Sequence, residues 1–215
     1  MSLASLAEGF LLKLAALIFI AGLAARVLFV LIRRSRGPHS TALKSPVLGA
    51  AISQVNWVVP RPGFLRRNPA RTALAIALHA ALFGILLFEP CHNVYIWEEL
   101  LGTSWEPFSS EAADILSIIA ALALAALLAD RLFRRTVRAV SKSSDYFTTG
   151  LLEAIVITGY AASHSYGPEA MHEVHMLLAE AFLIYAPFGK IGHAVTFFIA
   201  RALHGAESAR RGVTP

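Results

Sequence analysis

Five long apolar segments, separated by loops that hold most of the charge, limit what this chain can fold into. The segments cover residues 9–32, 72–90, 112–132, 146–164 and 172–200. A helix needs about 20 apolar residues to cross a bilayer, and each segment is at or near that length. The chain is 56% hydrophobic and only 15% charged, too little charge for a soluble domain. The sequence therefore predicts an all-α polytopic membrane protein, with residues 1–215 as a single membrane domain of five transmembrane helices.

The first apolar segment resembles a secretory signal peptide in its position. However, the stretch from Phe10 to Ile32 is longer than the hydrophobic region of such a peptide, and its basic cluster follows instead of preceding it. We therefore expect a retained first span.

The basic residues predict the orientation. Sixteen of the 19 Lys and Arg residues lie in three regions, 33–71, 131–142 and 201–211, all on one side of the predicted spans. The loops on the other side contain glutamates but no Lys or Arg. By the positive-inside rule, the N-terminus is outside and the C-terminus is cytoplasmic. The net charge of +5 then reflects topology in the inner membrane, and nucleic acid is not an expected partner.

Two histidines in the last apolar segment suggest cofactor binding. His175 and His193 are eighteen residues apart, which is five turns of one helix, so both rings would share a face about 27 Å apart along the axis. Such a pair suits two haem irons, one near each membrane surface. Cys91 is the single cysteine, so a haem here would be b-type, without covalent attachment. The alternative is two separately hydrogen-bonded structural histidines.

His79 is the predicted partner of His193 at the cytoplasmic side. His79 lies eight residues after Arg71, and His193 lies eight residues before Arg201. Both rings should therefore have the same depth, about 12 Å from the basic boundary, as axial ligands of one haem require. The alternative is two unrelated core histidines that share a depth by chance.

The outer partner of His175 is less determined by the sequence. His92 is the first candidate, although Pro90 leaves its direction open, and His164 is the second. His172, one turn before His175, is an alternative to His175 itself. Glu89, His164 and Tyr166 also predict a quinone or proton site, since a carboxylate or an imidazole can accept the protons of a quinol. A solvated loop of ordinary polar residues would explain the same cluster.

The last segment, HMLLAEAFLIYAPFGKIGHAVTFF, resembles the gamma-subunit family of respiratory nitrate reductase, which includes the cytochrome b subunits of heterodisulfide reductase and of the sulfite-reductase-associated complex. The segments ALHAALFGILLF and SDYFTTGLLEAIVITG are similar to the family's second and fourth spans. The resemblance implies two b haems held by spans two and five, with His79, His175 and His193 as ligands. The family's remaining ligand position holds Glu89 here, so either His92 or His164 substitutes, or one haem is bound.

The resemblance also implies a role as the membrane anchor of a respiratory oxidoreductase complex. Such a subunit would transfer electrons between quinone, on the outer side, and an iron–sulfur partner on the cytoplasmic face. Two alternatives remain open from the residues alone: a haem-free proton or ion transporter, and a purely structural anchor subunit.

Overall fold

The computed structural model describes residues 6–32, 45–58 and 68–213, and the regular structure within these ranges is entirely helical. The α-helices are α1 Leu12–Ile32, α2 Pro46–Val58, α3 Pro69–Phe88, α4 Pro90–His92, α5 Ser110–Phe133, α6 Arg135–Val140, α7 Ser143–Ser163, α8 Met171–Tyr185 and α9 His193–Arg210. The turns Leu6–Leu11 and Asn93–Glu98 are π-helical, and Lys190–Gly192 is a 3-10 turn. The predicted all-α class is confirmed. Much of the basic 33–71 segment, namely 33–44 and 59–67, lies outside the described residues.

Three of the described helices are long and apolar enough to cross a membrane. They are Gly9–Ile32, Pro69–Phe88 and Ser110–Phe133. These helices coincide within a few residues with the first three predicted spans, so length and apolar composition identify a membrane protein. The fourth predicted span, 146–164, also forms a helix, α7, but this helix contains Asp145 and Glu153 and is more polar.

The fifth predicted segment, 172–200, is not one helix, and the prediction of a continuous span was wrong on this point. Helix α8 ends at Tyr185, a turn follows, and α9 begins only at His193. The cause is Pro187, which has no backbone N–H and disfavours helical geometry in the residue before it. The backbone N–H groups of Phe188 and Gly189 both donate to the Tyr185 carbonyl and close the turn. His175 and His193 therefore lie on different helices, and the calculation that placed them on one face does not apply.

The described chain divides into two compact units. The first comprises the described parts of Met1–Leu17 and Ala70–Ile184. Its core lies where α3 meets α5, and it is formed by Leu78, Ala81, Ala120, Ala123 and Leu124. Alanine occupies three of these positions, and small residues are common where membrane helices pack. Helix α7 packs along α5 in the same unit and adds Leu152 and Val156 to the edge of the core.

The second unit comprises the described parts of Ile18–Pro69 and Tyr185–Pro215. The C-terminal half of α1 packs against the turn before α9. There, a Cβ on Gly22 would lie 2.5 Å from Pro187 Cβ, and Gly192 lies directly under the guanidinium group of Arg26. Helix α2 packs along α9. The Arg26 side chain is half-buried at this contact.

Candidate functional site

The position of His92 depends on how the chain leaves α3. Glu89 is the N-cap of α4, and its side chain accepts a hydrogen bond from the His92 backbone N–H at 2.8 Å. Pro90 follows at the first helical position, where its missing N–H is harmless. The new turn carries the His92 ring back over the end of α3, with Nδ1 3.1 Å from the Ile85 carbonyl oxygen. The direction that Pro90 left open in the sequence is therefore set by the Glu89 cap.

Two tryptophan side chains donate hydrogen bonds to the last carbonyl groups of α3. The indole N–H of Trp97 donates to the Leu86 carbonyl at 2.9 Å, and that of Trp105 donates to the Leu87 carbonyl at 2.8 Å. The last carbonyls of a helix have no partner within the helix, so these bonds satisfy groups that would otherwise need water. Tryptophan is also typical of the membrane–water interface. These bonds hold the 93–108 loop against the C-terminal end of α3, over which the His92 ring lies.

His175, in the second turn of α8, packs against α7. Its Nδ1 lies 3.0 Å from the Ile155 carbonyl oxygen and 3.4 Å from Thr158 Oγ1. Gly159 makes room for the ring, because a Cβ at this position would lie 2.8 Å from His175 Cε1 and 3.0 Å from Nδ1. The backbone of α7 thus positions the imidazole, and only glycine at position 159 leaves this space free.

The His92 and His175 rings lie side by side. Their centroids are 6.1 Å apart, and their planes differ by 18°. In both histidines Nδ1 faces a backbone carbonyl, which favours the neutral tautomer with a proton on Nδ1 and a lone pair on Nε2. Histidines that bind metals show the same arrangement, in which the second nitrogen donates to a carbonyl or a carboxylate.

A metal fits the chemistry and the spacing of this pair. A metal–imidazole bond is about 2 Å long, so two rings that bind one metal through Nε2 from opposite sides have centres roughly 6 Å apart. No group of three or more His, Cys, Asp or Glu side chains that could hold a metal ion occurs within the described ranges. The two histidines alone therefore do not complete a metal-ion site among these residues.

His164 belongs to a separate cluster at the C-terminal end of α7. Its Nε2 lies 3.1 Å from Asp114 Oδ2, and its Nδ1 lies 3.0 Å from the Tyr160 carbonyl oxygen. Its ring is stacked on Tyr166 at a centroid distance of 5.2 Å. Because both ring nitrogens have protein partners, His164 is poorly suited to bind a metal. It is well placed to exchange a proton.

The turn after α7 brings Tyr166 over His164. Ser165 has a positive φ of 54°, and its N–H donates to the Ala162 carbonyl, while the Tyr166 N–H donates to the Ala161 carbonyl. This pair of bonds is a Schellman motif, in which the residue after the helix takes the left-handed conformation. The motif reverses the chain and places the Tyr166 ring beside the histidine that ends the helix.

The predicted site residues are therefore distributed over several places. His92 and His175 come together, and so do His164 and Tyr166, whereas Glu89 caps α4 beside His92. His172 lies near Tyr95, with ring centroids 6.1 Å apart. His79 Nδ1 lies 2.7 Å from the Ala75 carbonyl oxygen, and His193 Nδ1 lies 2.7 Å from that of Lys190. These two histidines belong to different units, and their pairing stays a prediction.

Sequence reasoning missed two contributors to these sites. Asp114 is fifty residues from His164 in the chain, and only the packing of α5 against α7 brings them together. An acidic residue in the first turns of an apolar helix was the available signal. The carbonyl of Ile155 could not be found at all, because every residue carries such a group.

Comparison with known proteins gives a match over nearly the full length of the chain. No protein-family model matches the chain, and no solved structure matches it. A protein of Nitratidesulfovibrio vulgaris strain Hildenborough is 31% identical over 203 residues, covering 91% of this chain and 89% of the relative. Similarity at this level over nearly the full length of both chains indicates common descent, and the chain belongs to the same family as that Nitratidesulfovibrio vulgaris protein.

Proposed function

We propose that this protein is a membrane-anchoring b-type cytochrome subunit of a respiratory oxidoreductase complex. The observation that carries the proposal is the His92–His175 pair, with nearly parallel rings, centroids 6.1 Å apart and each Nδ1 held by a carbonyl. Ionisable side chains within membrane helices are costly and usually functional, which favours a ligand role over a structural one.

His92 and His175 would hold the haem iron as axial ligands through Nε2. The haem, when bound, supplies one-electron redox chemistry. The chain contributes the orientation of both imidazoles, through the Ile85 and Ile155 carbonyls, and the space above Gly159. Hydrogen bonds from Nδ1 make the opposite nitrogen more basic and therefore a better ligand.

A second haem at the cytoplasmic side would use His79 and His193. In each histidine Nδ1 faces a carbonyl, as it does in the outer pair. This site remains a prediction from equal depth in the sequence and from the resemblance to the nitrate reductase gamma-subunit family. The number of haems per polypeptide, one or two, is therefore the quantity to measure.

The Asp114–His164 pair would accept protons from a quinol at the outer side. An imidazole with a carboxylate on one nitrogen is a suitable base, since the carboxylate stabilises the positive charge that protonation creates. Tyr160 and Tyr166 flank the imidazole with aromatic rings that suit a flat quinone head group. Electrons would enter at this end and leave toward an iron–sulfur partner on the cytoplasmic face.

The proposed topology follows from the charge distribution. The chain would cross the inner membrane five times, with its N-terminus outside and its C-terminus in the cytoplasm. Helix α8 has 15 residues and, at about 1.5 Å per residue, is shorter than the bilayer core. The fifth crossing would therefore include the turn and the 3-10 segment that lead to His193. The basic loops would face the iron–sulfur partner.

One observation favours the alternative of a haem-free proton relay. Glu180 of α8 is only 4% exposed, and its Oε1 has no hydrogen-bond partner among the described residues. Glu153 of α7 is half-buried, and its Oε2 likewise has no hydrogen-bond partner there. Buried carboxyl groups in membrane helices are typical of proton pathways. This reading predicts proton flux through reconstituted protein that contains no haem.

Difference spectroscopy of purified protein separates these functions. The proposal predicts a reduced-minus-oxidised b-type spectrum and one or two haems per polypeptide. The His92→Ala variant should lose one haem. The matched control His164→Ala removes an imidazole from the same side of the membrane and should retain the full haem content. A wild-type protein without haem, purified from cells that load other b-type cytochromes, would reject the cytochrome function and leave the proton relay or the anchor.

A further inference from the structure

Helices α2 and α9 of the second unit are joined backbone to backbone. A Cβ on Gly49 would overlap the carbonyl oxygen of Gly205, and a Cβ on Gly205 would overlap that of Gly49. Ser53, one turn further along α2, is fully buried beside Gly205. Glycine at both crossing positions allows this approach, and the contact fixes which face of α2 is turned toward α9.

The opposite face of α2 is aliphatic and exposed. Val47 is 79% exposed, Leu48 54% and Val55 61%. Ala51 and Ile52 lie between them on the same stripe and are exposed as well. Residues spaced by four along a helix form one continuous stripe, and this stripe contains no polar side chain. An apolar face of this kind indicates a partner or a membrane.

Helix α9 also contacts the C-terminal end of α1. Val30, two residues before the end of α1, lines a cavity together with side chains of α9 from Ala200 to Ser208. The C-terminal half of α9 is charged: Glu207, which lines the same cavity, pairs with Arg211 at 2.9 Å and with Arg210 at 3.8 Å. Because these charged residues lie in the C-terminal half of α9, that half, which contains Gly205, belongs at the membrane surface.

The charge around α2 identifies the occupant of its exposed face. Residues 33–67, on either side of α2 in the sequence, contain seven basic residues and no acidic one. The helix itself is uncharged, so in the sequence the basic residues precede and follow the aliphatic stripe instead of interrupting it. A short apolar face bordered by Lys and Arg is typical of helices that lie in the interface of an anionic membrane.

We propose that α2 lies in the membrane interface at the cytoplasmic side, with Val47, Leu48 and Val55 inserted among anionic lipids. Helix α9 holds it there through the Gly49–Gly205 contact. The inference depends on the proposed orientation but not on haem. It assigns part of the basic 33–71 segment to lipid, and not to a protein partner.

Spin labels test this arrangement in the full-length protein. In a Cys91→Ser background, single cysteines replace Leu48 or Val55, with Val213 as the matched water-exposed control. The labelled proteins are placed in nanodiscs of zwitterionic lipid, with or without phosphatidylglycerol. Labels at 48 and 55 should lie roughly 5–10 Å below the phosphate level, accessible to oxygen and protected from a water-soluble nickel reagent. They should become shallower without phosphatidylglycerol, whereas the label at 213 should not change.

Two results would overturn the proposal. Nickel accessibility at 48 and 55 equal to that at 213 would place α2 in water. Protection from both oxygen and nickel would show that protein, either a second copy or a co-purified partner, covers the face. Should the cysteine variants fail to fold, a photoactivatable phosphatidylglycerol on wild-type protein gives the same answer, because peptides from 46–58 must then carry the label. The haem content of these samples reports the cytochrome function separately.

Discussion

Alanine at Gly159 should destabilise the protein, whereas alanine at Gly150 in the same helix should not. Both substitutions remove a flexible glycine from α7, which alone would stabilise the helix by about 0.5–1 kcal/mol. A Cβ at 150 meets nothing within 4 Å, but a Cβ at 159 would lie 2.8 Å from the His175 ring. The ring cannot move aside without losing its hydrogen bond to the Ile155 carbonyl.

Two costs determine the expected difference in stability between the variants. Overpacking in a helix interface costs about 1–3 kcal/mol, and a weakened hydrogen bond costs about 0.5–1.5 kcal/mol. Since the gain in helix propensity is the same for both variants, Gly159→Ala should be less stable than Gly150→Ala by about 1.5–4.5 kcal/mol. At about 2–4 °C per kcal/mol for a chain of this size, the two melting temperatures should differ by roughly 3–18 °C.

Thermal denaturation in detergent, followed by circular dichroism at the helix band, measures this difference. The variants are compared with wild type at equal detergent and lipid content. The Gly159→Ala variant should also bind less haem at the outer site. Equal melting temperatures for the two variants would show that His175 does not pack on Gly159, and the account of the histidine pair would fail with it.

Three further changes test other parts of the account. Partial burial, and then the charge of Glu89, raise the pKa of the Cys91 thiol. A membrane-impermeant maleimide should therefore label Cys91 in intact spheroplasts, at a rate that increases with pH and is higher in Glu89→Gln than in wild type at pH 8. Labelling only after lysis would reverse the topology. Asp114→Asn should slow haem reduction by quinol roughly 10²-fold or more with haem content unchanged, and an unaltered rate would remove the Asp114–His164 pair from proton transfer. Ser165→Gly should raise stability by about 1 kcal/mol in thermal denaturation because it relieves a left-handed conformation, and a less stable variant would contradict the Schellman turn.

The sequence predicted α1, α3 and α5 well because length and apolar composition alone determine a membrane-crossing helix. It failed at 172–200, where the apolar pattern continues through Pro187 although the helix does not. Residue spacing predicts contacts only along an unbroken helix, whereas a single missing backbone N–H is enough to end the helix.

Parts of the candidate site were within reach of the sequence and parts were not. His92 and His175 were named from their positions near one end of the predicted spans, and the structure places their rings side by side. Their geometry was not predictable, because it depends on the Glu89 cap and on a carbonyl of α7. Asp114 was missed because its contact with His164 exists only after α5 and α7 have packed.

Haem content of single and double histidine variants tests the central claim most directly. If His92 and His175 hold the same haem, His92→Ala, His175→Ala and the double variant should each lose one haem per polypeptide relative to wild type, with no further loss in the double variant. The absorbance of the pyridine haemochrome against protein concentration measures this number. Loss of two haems in the double variant and one in each single variant would show that the two histidines serve different haems, and full haem content in all three would show that neither is a ligand.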